Sequence, residues 1–195
     1  MSITVTSAPA VEPISTAEAK EWLRIDSTDT SQDNILAILI KAVRERVESY
    51  TRRALITQTL SVELDSDDFQ DPVFLPRPPV QSITSLTTYD EDANGDETST
   101  VVDSRDYQLT DRGILKSRND GWDINRQYRA GTVVYVAGYG NASTDVPADL
   151  ILVMLELLAL YFERRGDEDN SKAANAIDRE LEILAKADPY KVYGY

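Results

Sequence analysis

Neither cysteine nor histidine occurs in the 195 residues. Without cysteine the chain forms no disulfide, offers no thiolate to a metal and has no thiol nucleophile. Without histidine it lacks the commonest general base and the commonest transition-metal ligand. Neither a Ser-His-Asp nor a Cys-His arrangement can therefore be built. Long apolar runs are scarce too. The longest, 150–162, is interrupted by Glu156 and falls short of the roughly 20 residues that span a bilayer. The opening MSITVTSAPAVEP has no basic start and no long apolar stretch, so it does not read as a secretory signal. The expectation is a protein with no membrane contact, and the missing cysteine fits a reducing compartment. Positive charge is the last shortage: 20 Lys and Arg stand against 34 Asp and Glu, a formal charge of −14. Such a surface repels nucleic acid, whose phosphates need clustered cations. Solubility is the ordinary meaning of that charge. A narrower one is a surface that DNA must pass without being gripped.

The remaining residues are enough for one domain, or one domain carrying an insertion, able to bury roughly 70% of the unfolded surface. Residues 1–14 read as a loose arm. Ser15 and Glu18 have the spacing of a capping box, predicting a helix over 16–24 with Trp22 and Leu23 turned inward. Ile35, Leu36, Leu39, Ile40, Val43, Val47 and Tyr50 recur at helical spacing. They predict a helix over 31–53, with Lys41, Arg44, Glu45 and Glu48 on its solvent face and Arg44 and Glu48 pairing there.

Residues 57–140 read as β-structure. Leu60, Val62 and Leu64 alternate with polar residues, and the prolines of LPRPPV (75–80) forbid a helix. Further strands are expected at 81–89, 98–102, 107–110, 114–116 and 132–139, with Asn94 and Gly95 as a turn between two of them. Helix returns after Pro147, which suits a first helical turn. The 150–162 segment is apolar nearly all round, which predicts a position central to a core or buried in an assembly. Gly166 is read as its stop. A last helix over 171–187 carries Ile177, Leu181 and Leu184, and Asp188 with Pro189 ends it. The fold class is therefore α+β: a bundle of about four helices, from 15–56 and 141–187, with a β-rich insertion at 57–140 between the second and third. An aromatic tail, 188–195, follows.

Several motifs invite chemistry. Asp90, Asp92, Asn94 and Gly95 match the first half of a calcium-binding loop, but Val101 stands where its bidentate glutamate belongs. Gly138 and Gly140 follow a strand, yet Ser143 holds the third glycine's place in a dinucleotide fingerprint and no βαβ unit surrounds them. Acidic clusters at 65–71 and 167–169 fall in loops, where solvated charge is the preferred reading. Arg52 and Arg53 sit where cations complement a helix C-terminus. Arg112, Lys116, Arg118, Arg126 and Arg129 alternate with Asp111, Asp120 and Asp123, as on a mixed surface. No catalytic, cofactor or metal residue is assigned. The tail YKVYGY (190–195) has the composition of an interface, facing either a partner or its own subunit, with the partner preferred.

Taken together, AKEWLRID (19–26), DNILAILIKAVRERVESYTRRALITQT (33–59), LPRPPVQSITSLTTYD (75–90) and VVYVAGYGNASTDVPADLILVMLELLALYFERR (133–165) resemble the head–tail connector, or adaptor, proteins of tailed phages and prophages. The resemblance runs from about residue 14 to 165, and it implies a non-enzymatic virion protein, made in the host bacterial cytoplasm. It implies a homo-oligomeric ring, typically of twelve copies, beneath the portal protein. The ring joins the DNA-filled head to the tail or to a stopper or tail-completion protein, and genomic DNA passes through its lumen without specific binding. Many members have a short connection in place of 57–140. Since a closed ring uses two different patches per subunit, one is expected on the second helix, at Arg44 and Arg46, and one on the insertion. The tail residues Tyr190, Val192, Tyr193 and Tyr195 are the other expected partner contacts. The alternatives are a stopper or tail-completion protein of the neck, and a carboxylate metal-binding protein using Asp90 and Asp92.

Overall fold

Ser15 starts the first helix as its spacing predicts. In the computed structural model its hydroxyl accepts from the Glu18 amide at 3.2 Å while the Glu18 carboxylate accepts from the Ser15 amide at 2.7 Å. The hydroxyl also donates to that carboxylate, and these bonds hold the Glu18 pKa below the usual range. The structure describes residues 1–69, 71–92, 94–110, 113–119, 121–124, 126–165 and 170–193, with side chains from 177 onward in the last stretch. Gly166, the acidic run 167–169, Asp111, Arg112, Asp120 and Tyr195 lie outside the described residues.

The described residues form four α-helices and eight β-strands: β1 (Ser2–Ser7), α1 (Thr16–Leu23), α2 (Asp33–Thr51), β2 (Gln58–Leu64), β3 (Val73–Phe74), β4 (Val80–Glu91), β5 (Glu97–Val101), β6 (Tyr107–Leu109), β7 (Ile114–Ser117), β8 (Gly131–Ala137), α3 (Ala148–Arg164) and α4 (Asn170–Ala185). All the strands but the first lie between α2 and α3, as the α+β reading requires.

Two compact units divide the chain. One joins Val11–Ile56 to the segment that begins at Gly140 and holds the helices; the other joins Met1–Ala10 to Thr57–Tyr139 and holds the strands. In the helical unit α3 packs against α1, α2 and α4. Its Leu150, Val153, Met154, Leu157, Leu158 and Leu160 are buried with Leu36, Ile40, Val43 and Val47 of α2 and Ile183 and Leu184 of α4. A segment apolar on nearly every side is what a helix with three neighbours needs. Pro147 stands immediately before α3 as its N-cap.

In the β unit a five-stranded antiparallel sheet has the order β1-β2-β8-β4-β5, and a three-stranded one the order β3-β7-β6. The alternation read in β2 places Leu60, Val62 and Leu64 inside, opposite Tyr135, Val133 and Gly131 of β8. Tyr135 is fully buried, and its hydroxyl donates to the Pro76 carbonyl.

Three expectations are corrected. Residues 1–14 are not a loose arm throughout, because Ser2–Val5 pair in regular register with 60–63 of β2. The segment's β-branched residues find a partner strand some 60 positions away, which local reading cannot supply. Trp22 is not turned inward: it is 43% exposed, and α1 instead buries Ala19 and the Lys20 stem. The Lys20 ammonium reaches Asp33 at 2.6 Å. Arg44 and Glu48 do not lie on a solvent face either, being only 5% and 2% exposed.

Candidate functional site

Of the individual residues expected to meet partners, those described sit on two stretches of the helical unit, the middle of α2 and the segment after α4. On α2, Arg44 is enclosed by carboxylates of its own chain. Its Nε donates to Glu12 at 2.7 Å and its Nη1 to Glu48 at 2.9 Å, with Glu45 at 3.6 Å. Burial opposes the guanidinium's charge, but the Glu12 bond and the Glu48 charge outweigh it and raise the pKa above the usual arginine value. The second Glu48 oxygen accepts the Leu55 amide at 2.9 Å. Arg44 thus ties Glu12, before α1, to the C-terminal half of α2.

Arg46 is two residues on, about 200° round the helix. Its Nε donates to Glu180 of α4 at 2.7 Å, with 43% of the side chain still exposed. Tyr161 of α3 stands beside that pair; burial first, then the Glu180 charge, raise its phenol pKa. Arg46 therefore links α2 to α4 at the surface.

The segment after α4 folds back on α2. Asp188–Tyr190 makes one 3-10 turn with Pro189 in it, where the Asp188 and Pro189 pair was expected to end a helix. Tyr50 donates to Asp188 at 2.7 Å, the Val192 amide donates to the Thr51 carbonyl at 3.0 Å, and the Arg53 guanidinium donates to the Tyr190 carbonyl. The Tyr190 hydroxyl donates to Asp149 of α3 at 3.0 Å. The Lys191 ammonium lies 4.2 Å from the centre of the Tyr50 ring, a cation–π geometry. Arg52, in the left-handed conformation, caps α2 and turns Arg53 toward the tail. Tyr190 and Val192 therefore dock on their own subunit, while Tyr193 is 74% exposed. The signal for this docking was present in the sequence, as cations after α2 and aromatics after α4, but their separation of some 140 residues hid the pairing.

Two cavities flank the outward-facing Trp22. One, of about 510 Å³, is lined by Ile14, Trp22, Ile151 and Leu155 with Glu18, Glu21 and Arg24. The other, of about 340 Å³, lies between Trp22, α3 and α4, with Ala159, Leu160 and Ile183. Sequence reasoning missed this surface because Trp22 was assigned to the core.

The remaining motifs have structural tasks within the subunit. Asp92 accepts the amides of Asn94 at 2.8 Å and Asp96 at 2.9 Å in the turn between β4 and β5, and those bonds hold its carboxyl below the ordinary range. Asp65 accepts the Arg129 amide at 2.7 Å. Gly138 has φ of 132°, a conformation open to glycine. At Gly140 a Cβ would overlap the Asp145 carboxylate, which accepts the Ala142 amide at 2.9 Å. Both glycines of the pair thus serve the loop between β8 and α3.

Residues 12–177 match the family model described as head completion protein. Among curated proteins none matches the sequence. Solved structures share the fold across all of this chain and 97% of the other. One is from the neck of an empty gene transfer agent particle computed with C6 symmetry (TM-score 0.76, 21% identity). Another is from the virion of a native gene transfer agent particle (0.72, 22%). A third is from the neck of a native particle computed with C12 symmetry (0.70, 21%).

Proposed function

The chain belongs to the head completion protein family, and from that premise we propose that it is a structural, non-catalytic subunit of a virion neck. In this reading it is the head–tail adaptor: copies form a ring beneath the portal, the ring joins head to tail, and DNA passes through it. The observation that carries the reading is the family match over 12–177. A fold shared end to end with chains from particle necks computed with C6 and C12 symmetry supports the ring, and the C12 symmetry is compatible with a count of twelve. The charge of −14 suits a wall along which DNA slides, since clustered cations would hold phosphate.

The partner residues are distributed unevenly in this proposal. Arg44 is enclosed and positions the subunit's own helices. Arg46 and Tyr193 keep exposed surface for contacts with neighbours or the portal. Tyr190 and Val192 hold the tail so that Tyr193 is presented from a defined point. Mixing the protein with purified portal and imaging the product tests the reading. An adaptor forms a ring seated directly on the portal. A protein that ignores free portal and joins only a preassembled portal–adaptor complex is a stopper or tail-completion protein instead, and the adaptor reading fails.

A further inference from the structure

The two ends of the five-stranded sheet are unlike most natural sheet edges. β1 and β5 are its outermost strands, and no other described strand pairs with the outer side of either. Proteins guard such edges with lysine, proline, inward charge or a covering segment, because an open row of amides and carbonyls recruits another strand. β1 is SITVTS, with no charge and no proline. Its one irregularity is a register shift between Val5 and Ser7, which leaves Ser2–Val5 regular. β5 is ETSTV, whose single charge, Glu97, is taken up by Arg126. All the residues of both strands are exposed, and Val101 is 70% exposed.

The side chains carry the same message. Ile3 and Val5 stand opposite Val62 and Leu60, so they continue the buried face of the sheet into solvent. At the other end Thr88 pairs with Thr100 and Asp90 with Thr98, so the threonines extend that face from Leu86. One edge thus ends in aliphatic side chains, the other in threonines that present methyl groups on the same face. Two such edges on one subunit are different patches, which is what head-to-tail closure requires.

We propose that the outer edge of β1 in one copy pairs with the outer edge of β5 in the next, joining the sheets of neighbouring subunits by backbone hydrogen bonds. The inference rests on the ring reading above and names its subunit contact. Strand addition supplies affinity through main-chain bonds with little demand on side-chain identity, which suits edges made of Ser, Thr and Val.

The absence of cysteine makes the test clean. Thr4 and Ser99 lie on the opposite face from the buried one, as does Val101, so cysteine there leaves the core intact. Strand neighbours bring Cα atoms within about 4.5–5.5 Å, inside the reach of a disulfide. Thr4→Cys is combined with Ser99→Cys or with Val101→Cys in the full chain, assembled on portal, oxidised and run on a non-reducing gel. The expected result is a ladder from dimer to closed ring in at least one double variant, with each single variant monomeric. Dimers from Thr4→Cys alone would mean β1 pairs with β1 and would overturn the proposal. Rings visible by electron microscopy with no cross-link in either double variant would also overturn it, because the ring then uses other surfaces. Absence of rings even for the unmodified chain would remove the ring reading itself, and this inference with it.

Discussion

Arg44 and Glu48 stand four residues apart on α2, with Nη1 and Oε2 2.9 Å apart and both side chains almost wholly out of solvent. Local spacing predicts the pair but not its burial. A surface pair contributes a few tenths of a kcal/mol, whereas removing one partner of a buried pair strands a charge and costs about 3–5 kcal/mol. Arg44→Ala is therefore expected to lower stability by about 3 kcal/mol or more in urea unfolding. Arg44→Leu with Glu48→Gln should recover much of that loss, because the glutamine still offers an oxygen to the Leu55 amide. A loss below about 0.5 kcal/mol for the single variant would mark the pair as surface-like.

The loop between β8 and α3 gives a second expectation. Gly140→Ala places a methyl group against the Asp145 carboxylate, which must move and release the Ala142 amide. Overpacking of this kind costs about 1–3 kcal/mol. Because the Asp145 Cβ would overlap too, adding Asp145→Gly should make the alanine at 140 nearly neutral relative to Asp145→Gly alone. Thermal melts of the four proteins form the cycle, and additive losses would refute the clash.

Docking of the tail should depend on alkaline pH. The Tyr50 phenol pKa is raised, first by its hydrogen bond to Asp188 and then by burial, so the docked state favours the protonated phenol. The contribution is complete below the unfolded phenol's pKa of about 10 and is lost as pH rises through the higher folded value. Above it two anions, Tyr50 and Asp188, would face each other beneath Lys191. Hydrogen exchange at the Val192 amide, which donates to Thr51, is expected to lose protection over that window beyond the intrinsic rise in rate. Tyr50→Phe should remove the window; an unchanged profile would assign the effect to another group.

The tyrosines of the tail should separate by role. Tyr190→Ala deletes the hydroxyl bond to Asp149 and the ring that holds it, at an expected cost of about 1 kcal/mol or more. Tyr193, largely exposed, is expected to change stability by less than about 0.5 kcal/mol when replaced by alanine. Its effect should instead appear in binding to portal. Equal destabilisation by the two substitutions would show that Tyr193 also belongs to its own subunit.

Much of the architecture was legible in the chain because its signals are local. The capping box at Ser15 and Glu18, the alternation of Leu60, Val62 and Leu64, and the apolar 150–162 segment each declare an element through spacing within a few residues. So did the failed motif at Asp92, whose turn bonds reach only Asn94 and Asp96.

What the sequence determined by itself was the identity and order of nearly every element, together with the exclusion of thiol and imidazole chemistry. The tertiary structure decided which faces are covered. Trp22 faces out because α1 is short and buries Ala19 and Lys20 instead. Arg44 faces in because Glu12, 32 residues earlier, meets it there. The first residues form a strand because β2 receives them, and Tyr190 stays with its own subunit because Arg53 and Asp149 hold both its ends. In the last three cases the deciding contact joins residues far apart in the chain, and periodicity carries no information about which distant segment will arrive.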